Sequence, residues 1–166
     1  MSAILEAKNL KVVRGGSVLV DIPDIAILEG ETVSLIGPNG AGKTTLLHAL
    51  SFLNKPSSGE IIFRGEPVGS AYSPLEYRRR LAMVFQEPLL FDTTVLGNVV
   101  SGLKIRGIRG SGARKIAEKQ MELFGIAHLG DRSAKTLSGG EAQRTSLARA
   151  FAVSPEILFL DEPFAA

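Results

Sequence analysis

Along the first forty residues the hydrophobic and polar positions follow the period of strands. In AILEAKNLKVV apolar residues alternate with charged ones, SVLVDIPDIAI is β-branched and interrupted by Pro23, and ETVSLIG is a short apolar run ending in glycine. After Gly42 the period lengthens. Leu46, Leu47, Ala49, Leu50 and Leu53 recur at helical spacing, and the helix they predict stops before the turn-rich NKPSSGE. EIIFRGEPV then reads as a hairpin. In SPLEYRRR, Ser73 stands at an N-cap, Pro74 at the first helical position and Glu76 three residues after the cap, the pattern of a capping box; LAMVF follows as a buried strand.

From Glu87 to Thr136 the character is helical, with TTVLGNVVSGLK and GARKIAEKQMELFGI separated by the glycine-rich IRGIRGSG. This stretch reads as a helical insertion at 87–136. Beyond it come a second glycine turn, a helix, and EILFLDEP, an apolar run that ends in two carboxylates.

Composition narrows the picture only a little. A chain of 166 residues with 45% hydrophobic and 22% charged positions fits one globular domain with a real core, and eighteen glycines imply many functional turns. The net charge of +2 is spread over well-mixed charges, so electrostatics gives no reason to expect nucleic acid. The absence of cysteine excludes disulfides and thiolate metal sites. Glu6, Lys8 and Lys11 interrupt the apolar pattern at the N-terminus, unlike a signal peptide, and nowhere do about eighteen apolar residues run together. A membrane role, if there is one, is expected to be peripheral.

The chemistry lies at the turns. GPNGAGKT, Gly37 to Thr44, fits G-x-x-x-x-G-K-[ST] between a predicted strand and a predicted helix. Gly37, Pro38, Asn39, Gly40, Ala41 and Gly42 allow backbone N–H groups to curl around phosphate oxygens. Lys43 adds a full charge, the Thr44 hydroxyl is a ligand for Mg²⁺, and Thr45 completes the first helical turn. At the end of the apolar ILFL strand, Asp161 and Glu162 offer one carboxylate for a metal and another for an attacking water, against the plainer reading of a solvated strand end. Gln86, just after LAMVF, is either polar surface or an amide that orients water or a metal-bound oxygen. In LSGGE, Ser138 caps a helix beginning near Gly140, and Gly139 and Gly140 leave N–H groups open to an anion; a glycine-relieved helix start is the plainer alternative.

Taken together, in this order and spacing from residue 3 to 166, these stretches resemble the nucleotide-binding subunit of ABC transporters. GPNGAGKTT resembles its Walker A loop, Gln86 in VFQE its Q-loop, LSGGE its family signature and ILFLDEP its Walker B strand with the following glutamate. The resemblance implies an α/β P-loop NTPase fold. A RecA-like mixed or parallel sheet core and an N-terminal antiparallel β region would occupy 1–86 and 137–166, with a helical subdomain at 87–136. It also implies ATP and Mg²⁺ as ligands. Lys43 and Thr44 would hold phosphate and metal, Asp161 and Gln86 the metal, and Gln86 would sense the γ-phosphate. Glu162 would be the general base, and Ser138 with Gly140 would reach the nucleotide of a second copy docked head to tail. Permease subunits and a solute-binding protein are the further partners implied, at the cytoplasmic face of the inner membrane. The importer style resembles subunits for oxyanions such as tungstate or molybdate.

Two departures stand out. The place where the family stacks adenine on an aromatic residue is held by Arg14 in VVRGG, whose guanidinium plane can also stack on a base. The family's further strand and γ-phosphate histidine have no counterpart, since neither His48 nor His128 occupies that position, so the chain is expected to be a truncated form of a longer subunit. Two other functions stay open. One is a soluble relative acting on nucleic acid, against which the missing heptads and cysteines argue; the other is a nucleotide-binding module without turnover. The basic cluster Lys104, Arg106, Arg109, Arg114, Lys115 and Lys119 is either a solvated face or part of a permease contact.

Overall fold

The computed structural model describes residues 2–163, so Met1 and residues 164–166 of the expected core segments lie outside it. The chain forms two compact units, one through Arg78 and one from Arg79 onward.

The first unit is an antiparallel sheet with strand order β2-β1-β3-β4, built from β1 (Ala3–Arg14), β2 (Ser17–Leu28), β3 (Ser58–Phe63) and β4 (Glu66–Pro67). The turn between β1 and β2 is Gly15-Gly16, with φ of 55° and 80°, the left-handed pair that a two-residue hairpin loop requires. Along β1 the buried set changes phase, from Leu5 and Ala7 to Leu10 and Val12. A one-residue slip of this kind would normally turn half the apolar residues to solvent. Here Asn9, at φ 50°, absorbs the extra residue, and the β1–β3 register skips between Lys8 and Lys11. Gly59 lies against this bulge at φ 90°, and a Cβ there would run into the backbone carbonyls of Lys8 and Asn9.

Helix α1 (Lys43–Leu50) turns Leu46, Ala49 and Leu50 inward and stops three residues before Leu53, which is exposed; Phe52 at φ 55° ends it. Helix α2 (Pro74–Arg80) starts with the expected capping box: the Ser73 N–H donates to Glu76 Oε2 at 2.8 Å and the Glu76 N–H to Ser73 Oγ at 3.2 Å. Phe63 packs edge-on between Tyr72 and Tyr77, with ring centroids 5.4 and 5.3 Å away. The buried Tyr77 hydroxyl donates to the Leu50 carbonyl at 2.7 Å, and burial raises its pKa well above the ordinary tyrosine value. The strand expected at ETVSLIG does not form: residues 31–38 pair with no strand among the described residues, and Val33, Leu35 and Ile36 are exposed. An apolar run has strand-like composition, but only a neighbouring strand can satisfy its N–H and C=O groups as a ladder.

In the second unit β5 (Leu81–Val84) pairs in parallel with β6 (Ile157–Leu160). Helices α3 (Val95–Ile105), α4 (Gly110–Leu123) and α5 (Gly139–Ala152) share one core. Their inward stripes have helical spacing: Val95, Val99 and Leu103 on α3; Ala113, Ala117 and Met121 on α4; Ala148 and Ala152 on α5. Small residues bring the helices close, and a Cβ on Gly102 would stand 2.9 Å from Val153 Cγ1. The second half of the glycine-rich separator folds into α4 rather than preceding it. Gly107 and Gly125, at φ 86° and 67°, end α3 and α4 in Schellman turns, closed by Ile108 N–H to Leu103 O at 3.0 Å and Ile126 N–H to Met121 O at 2.8 Å.

Gly59→Ala is expected to destabilise the first unit by about 2 kcal/mol or more, through the left-handed φ and the collision with fixed backbone. Thermal unfolding would show it as a drop of several degrees. An unchanged melting temperature would mean that the bulge at Asn9 does not confine position 59.

Candidate nucleotide-binding site

The loop is exposed from Gly37 to Ala41 and leads through the half-buried Gly42 directly into α1. Gly40 and Gly42 take left-handed φ values of 82° and 88°. A Cβ on Gly42 would stand 2.7 Å from the Leu19 carbonyl oxygen and 3.5 Å from Val20 Cγ2, so the loop lies directly on β2. Gly37 is also close-packed, its Cβ position falling 3.4 Å from the Ala41 methyl, and the Ala41 N–H donates to the Pro38 carbonyl at 3.2 Å. Gly42 is the N-cap of α1, where no side chain caps the helix and no acidic residue occupies the first turn. The N–H groups of that turn carry the positive end of the helix dipole. Lys43 Nζ folds back to donate to the carbonyls of Gly37 at 3.0 Å and Pro38 at 3.1 Å, which places the ammonium within the loop. Asn39 and Thr44 are exposed and Thr45 is half-buried. Chemically this is a receptor for an oxyanion of high charge.

Contact with Leu19 and Val20 sets the loop beside the hairpin end where Arg14 pairs with Ser17. Arg14 is exposed, and Val18, 55% exposed, offers a flat apolar surface at the same end. Sequence reasoning missed Val18, although its place two residues after a Gly-Gly hairpin turn marks it as lying at the strand's outer end.

The second unit brings Gln86, Asp161 and Glu162 together. The last pair of the parallel ribbon is Val84 with Leu160, and the Asp161 N–H donates to the Val84 carbonyl at 2.9 Å. Gln86 and Glu162 each lie two residues beyond that pair, both exposed, while Asp161 is buried. Glu162 has φ 44°, a left-handed conformation that non-glycine residues rarely adopt and that concentrates at functional turns. A second side chain that sequence reasoning missed supports this turn: Gln143, from α5, donates through Nε2 to the Pro163 carbonyl at 2.9 Å. That bond sets the N-terminal part of α5 at the carboxyl end of β6. Within this unit the oxygen donors of Asp161 and Gln86 are of the kind that suits Mg²⁺, a hard ion that keeps several waters and needs one or two carboxylates beside phosphate. No cluster of three or more His, Asp or Glu side chains placed to hold a metal occurs among the described residues.

Ser138 is the N-cap of α5, and the cap is reciprocal. Glu141 Oε2 accepts from the Ser138 N–H at 2.7 Å and from Ser138 Oγ at 2.9 Å, and Ser138 Oγ accepts from the Glu141 N–H at 3.4 Å. Arg132 Nη1 lies 3.6 Å from Glu141 Oε1. Neither Gly139 nor Gly140 has a left-handed φ. A Cβ on Gly139 would meet nothing within 4 Å, and one on Gly140 would meet only Arg144 Nη1, at 3.7 Å. Folding therefore does not require glycine at either position, although each costs about 1 kcal/mol of helix propensity relative to alanine.

The two hydrogen bonds from Ser138 lower the Glu141 pKa, with smaller help from Arg132 and Arg144. A carboxylate depressed in the folded state stabilises it above the unfolded pKa of about 4.3 and loses that contribution as pH falls through the lowered value. Glu141→Ala should therefore melt below the wild type at pH 7, with the gap closing as pH falls below the ordinary carboxylate range. A gap independent of pH would show that the carboxylate is not the capping group.

Residues 21–165 match the family model described as ABC transporter. The chain is 43% identical, over 89% of its length, to the phosphate import ATP-binding protein PstB 2 of Natronomonas pharaonis, of which it spans 56%. It is 40% identical, over 97% of its length, to the tungstate uptake system ATP-binding protein TupC of Peptoclostridium acidaminophilum, of which it spans 72%. The whole chain superposes on 68% of cbiO1 from Clostridium perfringens, part of the ABC transporter complex cbiONQ, with a TM-score of 0.85 and 31% identity. The fold is that of the P-loop ATPase, and the chain belongs to the ABC transporter family as an ATP-binding domain.

Proposed function

We propose that this chain binds and hydrolyses ATP to drive a membrane transporter of the import type. One observation carries the reading: left-handed glycines seat the loop on β2, with the Lys43 ammonium inside it and the uncapped N-terminus of α1 behind it. This combination suits the β- and γ-phosphates of a nucleotide. Arg14, at the hairpin end beside the loop, would stack its guanidinium on the base. Thr44, Asp161 and Gln86 would hold Mg²⁺, which when bound neutralises and orients the phosphate oxygens. Glu162, held out by its left-handed turn, would take the proton of the attacking water, and Gln86 beside it would register the γ-phosphate.

The signature turn supplies the reason for a second copy. Ser138 caps the helix start, Gly139 and Gly140 present bare backbone there, and the folded chain does not require glycine at either position. They would contact the nucleotide held by a partner copy docked head to tail, so that ATP joins the two and hydrolysis lets them separate. Residues 1–86 with 137–166 form the ATPase core in this reading, and 87–136 the helical subdomain. The segment from Leu90 to Gly107, in which Phe91 and Ile105 are 55% and 61% exposed, would meet a permease loop at the cytoplasmic face of the membrane. No helix among the described residues is long and apolar enough to cross a membrane, so attachment would be peripheral. A solute-binding protein would deliver the cargo, and relatives named for phosphate and tungstate support an oxyanion; no nucleic-acid partner is proposed.

Separate measurement of binding and turnover tests the assignment. Lys43→Ala should weaken MgATP binding by about tenfold or more, the worth of one charge-assisted hydrogen bond. Glu162→Gln should keep the affinity and lose at least about a hundredfold in turnover, as for a general base. Wild-type affinity in the first variant would refute the phosphate loop, and near-wild-type turnover in the second would refute Glu162 as base.

A further inference from the structure

Between Val84 and Val95 the second unit has neither helix nor strand, yet this segment, which contains Gln86 near its start, is fastened at its middle to the helix that carries the signature turn and at its far end to the strap that leads into that turn. Three-residue turns bend it, the Leu90 N–H donating to Pro88 O at 2.9 Å and the Thr93 N–H to Phe91 O at 2.8 Å. From α3, the fully buried Asn98 devotes its amide to the segment: Oδ1 accepts from the Phe91 N–H at 2.8 Å, and Nδ2 donates to the carbonyls of Phe91 and Thr94, both at 3.1 Å. From α5, Arg149 donates through Nη1 to the Leu89 carbonyl at 2.8 Å and stacks its guanidinium 5.6 Å from the centre of the Phe91 ring. The far end of the segment is sewn to the strap that leads into Ser138. There the Ala134 N–H donates to Thr93 O at 2.9 Å, the Val95 N–H to Arg132 O at 3.0 Å, and Lys135 Nζ lies 2.6 Å from Asp92 Oδ2.

Arg149 is the member of this set that packing does not explain. It is half-buried, and desolvation lowers its pKa. An apolar side chain of similar length would cover the same neighbours without that loss of solvation. What a guanidinium adds is a fixed direction: one donor on one carbonyl, and one flat face on one ring. Leu89 and Phe91, its two contacts, are themselves 58% and 55% exposed, so the contact cannot be attributed to the apolar core.

We propose that Arg149 is a positioning residue for Gln86. It locks the Pro88–Phe91 bend to α5, so that Gln86 and the Ser138 turn at the start of the same helix move as one body. The inference rests on the ATPase reading for its kinetic consequence, but not for its structural one. Because α5 bonds to Pro163 through Gln143 as well, one helix then sets three parts of the site: the signature turn, the turn after Glu162 and the approach of Gln86.

The test compares the full wild-type chain with Arg149→Met, which keeps length and apolar contact, and with Arg149→Lys, which keeps charge and one donor. Amide exchange at Leu90, Phe91 and Thr93 should rise by about tenfold or more in R149M, the loss expected for one charge-assisted bond, while α4 amides keep wild-type protection. MgATP turnover should fall in kcat with KM little changed, and R149K should recover part of both effects. Unchanged exchange in the 88–93 segment would overturn the proposal. So would exchange that rises equally in α4, which signals general loosening, or a change confined to KM. Should the wild-type chain bind no nucleotide, the ATPase reading falls, and the exchange comparison still decides whether Arg149 holds the bend.

Discussion

The Leu19 carbonyl leaves no room for a side chain at position 42, and most of the first unit's chemistry follows from that steric limit. With glycine there, the loop can lie on β2 and turn left-handed into α1, so the helix begins beside the sheet without a side-chain cap. The positive end of α1 and the Lys43 ammonium then converge on one small volume. The sheet can offer that seat because its own strain is relieved elsewhere. Asn9 and Gly59 absorb the phase change in β1, which keeps both halves of the strand facing the core. The two backbone irregularities play different parts: one lets the sheet form, and the other lets it carry a site.

The second unit solves a different problem, which is to hold polar groups at the end of only two parallel strands. A ribbon this narrow has little stiffness of its own. Its outer end is secured by the bond from Asp161 to Val84 and by side chains from the helix packed beside it, Gln143 and Arg149. Asp161 can therefore be buried while Gln86 and Glu162 remain exposed next to it. The left-handed turn at Glu162 is tolerable for the same reason, since strain of this kind persists only where the surroundings over-determine the backbone.

Local patterns were legible in the sequence and long-range contacts were not. Alternation in AILEAKNLKVV, the Ser73 capping box, the Ser138 cap, and the glycine loop before α1 each depend on residues within one turn or one strand, so the printed order contains the physics. ETVSLIG failed as a strand because a ladder needs a partner, and its partnering cannot be read from its own composition. Asn98, Gln143 and Arg149 were invisible for a related reason. Each is a polar residue on an otherwise ordinary helix, and only folding shows that its target is a backbone carbonyl or amide, close by in sequence for Asn98 but far away for Gln143 and Arg149. Gly42 and Gly139 look alike in the sequence, yet structure separates them, since a Cβ at position 42 would strike backbone and one at position 139 would strike nothing.

That difference bears on function more directly than either motif does alone. A glycine forced by its own fold says only that the fold is tight. When glycine occupies a helix start in ordinary helical conformation, with open space where its side chain would be, its own fold does not require it. In the proposed reading the open backbone at Gly139 would admit a phosphate group more readily than a protein surface built from apolar contacts. The capping box sharpens this, because Glu141 is drawn back onto Ser138 and Arg132. Its negative charge is thereby engaged by neighbouring donors rather than presented unopposed to an incoming anion.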